Sequence, residues 1–306
     1  MPSWPFHPGE LEAQTRAGGG SQGGAIRPWM ADQHRAFFAT LPYVVVASYL
    51  DGYPVATIWT GPPGFVTTPD AETLRLSIAL DPADRSDPTS AAFIPGAPFG
   101  LLGIELATRR RNRANGVVTA AGPDGVTVAV RQSFGNCPQY IRPRSVACLA
   151  PGTDPEPRPP HALDELDPLD AAARAAITGA DTCFVATAAR TAEPTGGVDI
   201  SHRGGPPGFV HLDGDVLTIP DFAGNRYFNT LGNLVSEPRA ALLFVDFARG
   251  DLLHLQGQAT ILWGGPEVRA VEGAERLWRL RVERAWRRPG ALPLRWSAPL
   301  APAVPR

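Results

Sequence analysis

The sequence contains no lysine: its 28 basic residues are all arginine. This excludes Schiff-base chemistry on a lysine, and it excludes a P-loop, whose lysine reaches the nucleotide phosphates. Any bound phosphate must be held by arginine, backbone amides or small polar side chains. Cysteine is scarce too. Cys137, Cys148 and Cys183 are too few and too scattered for a disulfide framework or a zinc site, so no metal is expected. No apolar run approaches the roughly 18 residues that a membrane helix needs, so no membrane partner is expected. Charged residues make up only 19% of the chain and the net charge is −2, which gives no general affinity for nucleic acid. The first residues lack the charged-then-apolar layout of a signal peptide, so the expected location is the cytoplasm.

What the chain has in abundance is glycine and proline, 32 and 33 among 306 residues, with 43% apolar residues to build a core. That balance favours a mainly β (α+β) protein of strands and turns with short helices. The length suits one large domain or two of ordinary size.

Read in order, residues 1–28 look like a flexible N-terminal arm, because Gly18 to Gly24 includes five glycines in seven residues and offers nothing to a core. Met30 to Phe38 reads as a short helix. Tyr43–Leu50 and Tyr53–Thr60 flank Asp51-Gly52, a strong hairpin signal. Leu74–Ile78, Phe99–Leu106, Asn115–Ala121 and Val126–Arg131 read as further strands, closing a first domain over 29–150. Pro151 to Pro160 holds five prolines in ten residues and opens a linker with an Ala-rich helix, 151–178. A second domain, 179–264, carries strands at 182–188, 196–201, 208–212, 215–219, 239–247 and 251–263, with a helix over Arg226–Val235. The remainder, 265–306, reads as a C-terminal helix (Pro266 to Arg288) and an extended tail.

The two domains share a repeat. Gly61-Pro62-Pro63-Gly64-Phe65-Val66 recurs unchanged as Gly205-Pro206-Pro207-Gly208-Phe209-Val210, 144 residues later. Tyr43–Ala47 precedes the first copy as Cys183–Thr187 precedes the second. Arg85 matches Arg226 and Gly116 matches Gly257, both 141 residues apart, and Pro98 matches Pro238 at 140. Small loop deletions would give that drift, so a tandem duplication of one β-rich domain is expected.

The polar residues are not duplicated. Ser201-His202-Arg203 faces Thr57-Ile58-Trp59 in the first copy, and Asn229 and Asn233 face Pro88 and Ala92. A ligand site built from Ser201, Arg203, Asn225, Arg226, Asn229 and Asn233 would therefore belong to the second copy, the first being degenerate. Arginine recognises phosphate in a planar, bidentate way, and a helix starting near Asn229 would offer free amides to an anion. His202 is the candidate acid or hydrogen-bonding group, with a solvated strand-end histidine as the alternative. Arg109 to Arg113 reads as a solvated basic turn, or as a guide for an anionic substrate. Cys137 reads as packing or as a redox thiol.

The order of strand, Arg203-Gly204-Gly205, Gly208-Phe209-Val210, Asn225-Arg226, a helix with two asparagines, and Glu237-Pro238-Arg239-Ala240-Ala241 resembles the FMN-binding split-barrel family related to pyridoxamine 5′-phosphate oxidase. Ser133 to Ile141 also looks like a segment of tandem members of that group. The resemblance spans roughly residues 35–265. It implies two tandem split β-barrels that form a pseudo-dimer within one chain, with FMN between them and further pairing into a homodimer left open. It implies that Arg203, Asn225 and Arg226 contact the flavin, that Gln256 or Gln258 stands near a strand glutamine of the family, and that NADH or NADPH is a candidate electron donor. The C-terminal Arg-x-His of the oxidase proper is missing, which argues against its phosphorylated pyridoxal-type substrate. The expected activity is flavin-dependent oxidoreduction of a small molecule. The alternatives are a non-catalytic flavin-binding module, a barrel pair whose site has decayed, and haem or a deazaflavin in place of FMN.

Overall fold

The computed structural model describes residues 4–78, 80, 87–149, 163–167, 169–189 and 195–299. The Pro-rich stretch 151–160 and Arg85 lie outside the described residues. The first sheet runs β2-β1-β5-β6-β7-β4-β3. Its strands are β1 (Tyr43–Leu50), β2 (Tyr53–Thr60), β3 (Val66–Thr67), β4 (Thr73–Leu76), β5 (Pro98–Glu105), β6 (Arg110–Gly122) and β7 (Gly125–Gly135). After β8 (Val146–Cys148) and β9 (Asp164–Glu165), the second sheet takes β10 (Thr182–Ala189), β11 (Gly197–Gly204), β12 (His211–Asp213), β13 (Val216–Phe222), β14 (Arg239–Asp246), β15 (Asp251–Leu262) and β16 (Ala274–Arg288). Its order, β11-β10-β14-β15-β16-β13-β12, is the first order over again, strand for strand. The helices are α1 (Pro8–Arg16), α2 (Asp32–Thr40), α3 (Ala171–Thr178), α4 (Asn229–Ser236) and α5 (Pro266–Arg269), and β17 (Leu294–Trp296) pairs with β8. The chain is mainly β, as its composition indicates.

Alternation explains how the sheets close and why they meet. On β1, Val44 and Val46 enter the core of the first barrel while Val45 and Ala47 face the second. On β10, Cys183 and Val185 enter the second core while Phe184, Ala186 and Ala188 face the first. A strand buried on both faces reads as an unbroken apolar run, which is how both runs appear in the sequence. Ile58, Leu102, Ile104, Ile200, Ala241 and Leu243 complete the seam. It is held by area removed from water, worth about 25 cal/mol per Å² of apolar surface.

The same local devices recur in both sheets. Gly64 and Gly208 adopt positive φ, 92° and 86°, in the two copies of the Gly-Pro-Pro-Gly turn, and Phe65 and Phe209 amides donate to Pro62 and Pro206 carbonyls. Each long strand shifts register at a glycine, between Asn115 and Gly116 and between Gln256 and Gly257. A Cβ at Gly116 would lie 2.0 Å from the Ala129 carbonyl oxygen, and one at Gly257 would lie 1.9 Å from that of Arg281.

Four expectations are corrected. Residues 274–288 are not helical: they form β16, so the second barrel reaches Arg288 rather than ending at 264, and the helix in this region is only Pro266–Arg269. From 278 to 283 apolar and charged residues alternate, Trp278, Leu280 and Val282 against Arg279, Arg281 and Glu283. That period of two competed with a helical reading, and pairing with β13 and β15 decided it. Residues 151–178 carry β9 as well as a shorter helix than expected. The helix read from Arg226 begins at Asn229, because Arg226 and Phe228 both adopt positive φ, 56° and 63°.

The fourth correction is the N-terminal arm, which is folded down. Its helix α1 starts with a capping box between His7 and Glu10 and has Pro8 in the first turn, an arrangement with His in the place of the usual Ser or Thr. Phe6 packs with Ile26, Phe134 and Tyr227, bridging arm, first barrel and second barrel. Helices α1 and α4 cross at glycines: a Cβ on Gly9 would lie 2.3 Å from the Gly232 carbonyl oxygen, and one on Gly232 would lie 2.5 Å from Glu10 Cα. Arg27 then bridges Ser133 on β7. No helix among the described residues is long and apolar enough to cross a membrane.

The bulge geometry gives a direct stability test. Gly257→Val should cost about 1–3 kcal/mol by overpacking and lower the urea midpoint. Gly264→Val, where a Cβ meets nothing within 4 Å, should leave it nearly unchanged. Equal midpoints for the two variants would remove the steric role assigned to the bulge.

Candidate functional site

A cleft opens at one end of the seam. From the first barrel it receives β6 and the loop after β7, with Cys137 and Tyr140. From the second it receives β11, the end of β13, the loop 223–228 and the start of α4. Five arginines line it (Arg111, Arg113, Arg203, Arg226 and Arg276), against one carboxylate, Asp221. The two barrels thus bring basic residues from distant parts of the chain to one place.

Arg113 is only 6% exposed. Its Nη1 donates to Asp199 Oδ2 at 2.6 Å and its Nη2 to Ser201 Oγ at 2.6 Å. Ser201 Oγ also lies 3.0 Å from Thr230 Oγ1 on α4. Arg203 and Arg276 share Asp221, at 2.7 and 2.9 Å. Among the described residues Arg111 has no carboxylate as a hydrogen-bond partner: it donates to the Cys137 carbonyl from Nε and Nη2 and reaches His202 Nδ1 at 3.1 Å. Burial, and then the charges of Arg113 and Arg203, pull its pKa down to about 9. A guanidinium so placed is stabilised by any anion that enters the cleft.

His202 is buried, not a solvated strand-end residue. Burial and the neighbouring charges of Arg111, Arg203 and Arg113 hold its pKa well below the usual histidine range, so the ring is neutral. Arginine can only donate, so Nδ1 accepts from Arg111 and the ring proton sits on Nε2. That Nε2 is buried and unpartnered among the described residues, as are Arg113 Nε, Arg203 Nε and Asn136 Oδ1 around the same cleft. Buried polar atoms are normally paired, and four unpaired ones gather around this cleft. Tyr140 stacks on Phe222 at 5.2 Å and 26°, a flat aromatic wall.

The loop before α4 is conformationally costly. Two left-handed non-glycine residues cost about 1–3 kcal/mol each and persist because other contacts fix them. Arg226 supplies several: its guanidinium donates to the carbonyls of Ala17 and Gly19 at 2.7 Å, and Ser21 N donates to the Arg226 carbonyl at 3.2 Å. No side chain caps α4, so its first-turn amides remain available to an anion.

Ser201, His202, Arg203, Asn225, Arg226 and Asn229 therefore do line one cleft, with Asn225 Oδ1 accepting from Tyr227 N at 3.2 Å. The guanidinium of Arg226 is tied to the arm. Asn233 lies on another side of α4, where its Oδ1 meets His7 Nε2 at 2.8 Å and its Nδ2 donates to Thr187 Oγ1. Gln256 is buried elsewhere and donates to the Pro54 carbonyl at 2.9 Å. The basic run read as a solvated turn is instead the start of β6, which sends Arg111 and Arg113 into the cleft. The signal was the alternation of Arg111 and Arg113 about Asn112. Arg276 was hidden by the helical reading of β16, and Glu10 by the reading of the arm as flexible. Among the described residues no group of His, Cys, Asp and Glu could hold a metal ion.

The fold and the cleft define a class: a pair of split barrels with an arginine-lined cleft between them. Residues 169–289, the second barrel, match the family model described as pyridoxamine 5′-phosphate oxidase. Among solved structures, HupZ of Group A Streptococcus is 18% identical, with 36% of this chain and 86% of that chain covered and a TM-score of 0.29. A FAD-binding protein of Mesorhizobium loti is 11% identical, covering 41% and 96%, with a TM-score of 0.28. A Clostridium acetobutylicum protein related to general stress protein 26, of the pyridoxinephosphate oxidase family, is 14% identical, covering 37% and 82%, with a TM-score of 0.28. No curated protein matches the chain.

Glu10 ties the arm to the site and gives a pH test of stability. It is 4% exposed, and its carboxyl is pushed from 4.5 up to about 8, chiefly by burial. A raised carboxyl pKa means that the folded state binds the proton more tightly than the unfolded state. The stabilisation is full below about 4.5 and is lost as pH rises through about 8. Chemical denaturation at pH 5, 7 and 9 should show a fall in stability that Glu10→Gln flattens. The same slope in both proteins would assign the titration to another group.

Proposed function

We propose that the cleft binds FMN and that the chain is a flavin-dependent oxidoreductase acting on a small molecule. The observation that carries this reading is the charge imbalance of the cleft, five arginines to one carboxylate, with Arg111 lacking a carboxylate partner among the described residues. The residues present fit the group. The phosphate would be held by Arg111 and by the uncapped start of α4 with Asn229. The ring edge, rich in acceptors, would be met by His202 Nε2–H and Arg203, and its flat face suits the Tyr140–Phe222 wall. FMN would supply the electron-transfer chemistry, with NADH or NADPH as donor. The protein's part is to orient the ring and set its potential through hydrogen bonds and arginine charge. His202, neutral and with its tautomer fixed by Arg111, acts in this reading as a hydrogen-bond donor rather than as an acid that titrates near neutrality.

We further infer that the chain arose by duplication of one barrel and is its own pseudo-dimer. The equal strand orders and the paired bulge glycines support this. The first copy then supplies a wall, with Arg111, Arg113, Cys137 and Tyr140, and the second copy supplies most of the ligand contacts.

The visible spectrum of the protein after mixing with FMN and desalting tests the assignment. Retained flavin bands are expected, and Arg111→Ala should weaken binding about tenfold or more, the usual loss for a charge-assisted hydrogen bond. A colourless protein at concentrations well above micromolar would sink the FMN reading. If FMN is retained, anaerobic bleaching by NADH or NADPH identifies an oxidoreductase, and bound flavin that neither donor reduces identifies a carrier.

A further inference from the structure

The N-terminal helix places a carboxyl group directly behind the cleft. Glu10 Oε1 accepts from Asn229 Nδ2 at 2.5 Å, and Glu10 Oε2 accepts from His7 N at 2.9 Å. Asn229 opens α4 and lines the cleft, and its Oδ1 lies 3.5 Å from Arg113 Nη1. One asparagine side chain thus separates a carboxyl on the arm from the guanidinium that positions Ser201. The helix that carries Glu10 is seated without slack, because Gly9 and Gly232 leave no room for a Cβ at the crossing.

We propose that Glu10 regulates the affinity of the cleft for an anionic, phosphate-bearing ligand by gaining and losing a proton. This rests on reading the cleft as an FMN site. Neutral Glu10 leaves the positive end of α4 and the charge of Arg113 to the ligand. Ionised Glu10 places a negative charge across Asn229 from the ligand, repelling its phosphate and drawing Arg113 toward itself. The reciprocal also holds: a bound anion makes it harder for Glu10 to lose its proton.

The charges around Glu10 fit this role. On its own helix the His7 ring lies 3.6 Å from Glu10 Oε2. Asp199 on β11 disfavours ionisation of Glu10 and Arg113 on β6 favours it. Arg131 on β7 lines the same small polar crevice, which also holds His7, Asp199, Asn229 and Asn233. Arg113 is already engaged with Asp199 at 2.6 Å, so its charge is shared between the two carboxyls. Desolvation is the dominant effect on its carboxyl, which titrates near 8, where a modest change in pH alters its charge.

The test is the dissociation constant of FMN for the full chain from pH 7 to pH 9, in the wild type and in Glu10→Gln. The second ionisation of a phosphate monoester lies near 6, so the charge of the probe is constant over this range. The wild type should bind FMN about tenfold more weakly at pH 9 than at pH 7, the factor that one unit of linked pKa shift gives. Glu10→Gln should bind at pH 9 nearly as it does at pH 7. Any effect of the lowered pKa of Arg111 is common to both proteins, so the difference between the two slopes carries the proposal. Equal slopes overturn the gate and leave the FMN site standing. Flavin binding by neither protein at pH 7 overturns both. If Glu10→Gln fails to fold, Glu10→Ala serves, with circular dichroism as the fold check and a flat pH profile as the expected result. Slower hydrogen exchange of the α1 amides with FMN than without it at pH 9, in the wild type only, is the second expected sign.

Discussion

The apolar seam between the two barrels is the constraint on which the rest of the structure depends. β1 and β10 each bury both faces, one in their own barrel and one in the other. Parting the barrels would expose Val45 and Ile58 on the first and Phe184 and Ile200 on the second. The seam therefore fixes the relative positions of β6 and β11, which are far apart in sequence, and that fixed distance is what assembles Arg111 with His202 and Arg113 with Asp199. It also sets the electrostatics. Charges at the edge of an apolar interface are screened less than charges in water, so the pull that Arg113 and Arg203 exert on Arg111 reflects where the seam puts them.

The fold was legible in the sequence to the extent that local signals and burial agreed. Asp51-Gly52 marked its hairpin, the two Gly-Pro-Pro-Gly turns marked each other, and the apolar runs of β1 and β10 announced strands. β16 was not legible in the same way. Its arginines and tryptophans fit a helix face as well as a strand face, and only the gap between β13 and β15 chooses between them. The site shows the same division. Arg203 and Asn229 could be found because they lie in a compact polar cluster. Arg111 and Arg113 could not be separated from a surface turn, since their burial comes from a barrel about ninety residues further on, where Asp199 and His202 lie. Gln256 and Asn233 carried the right chemistry at the wrong place: side-chain direction, not residue type, turned them to Pro54 and to His7.

The arm shows why composition alone misleads. Its glycines suggest slack, yet two of the arm's contacts need glycine for close approach, Gly9 against α4 and Gly23 against the Phe6 ring. Arg226, which the cluster pointed to as a phosphate ligand, spends its guanidinium on the arm's carbonyls. Its left-handed backbone then holds the loop that leads into α4. The arm is thus part of how the cleft is shaped, through Phe6, Glu10 and the carbonyls of Ala17 and Gly19.

The asymmetry between the barrels follows from which charges are neutralised. In the first barrel Thr57 stands where the second has Ser201, and Asp87 precedes Pro88, which stands where the second has Asn229. There Arg288 pairs with Asp87 at 2.7 Å and donates to Thr57 Oγ1 at 3.2 Å. An arginine, a carboxylate and a hydroxyl close that region with their own charges balanced. Trp59, in the place of Arg203, packs on Phe93 and Phe99 within the first core and contributes to stability rather than to recognition. At the other end of the seam the balance is withheld: Arg111 leans on a backbone carbonyl and a neutral histidine, and Asp221 is divided between two arginines. Two barrels of one strand order can differ in this way because a single seam serves both, so one region can close on itself while the other keeps an excess of positive charge.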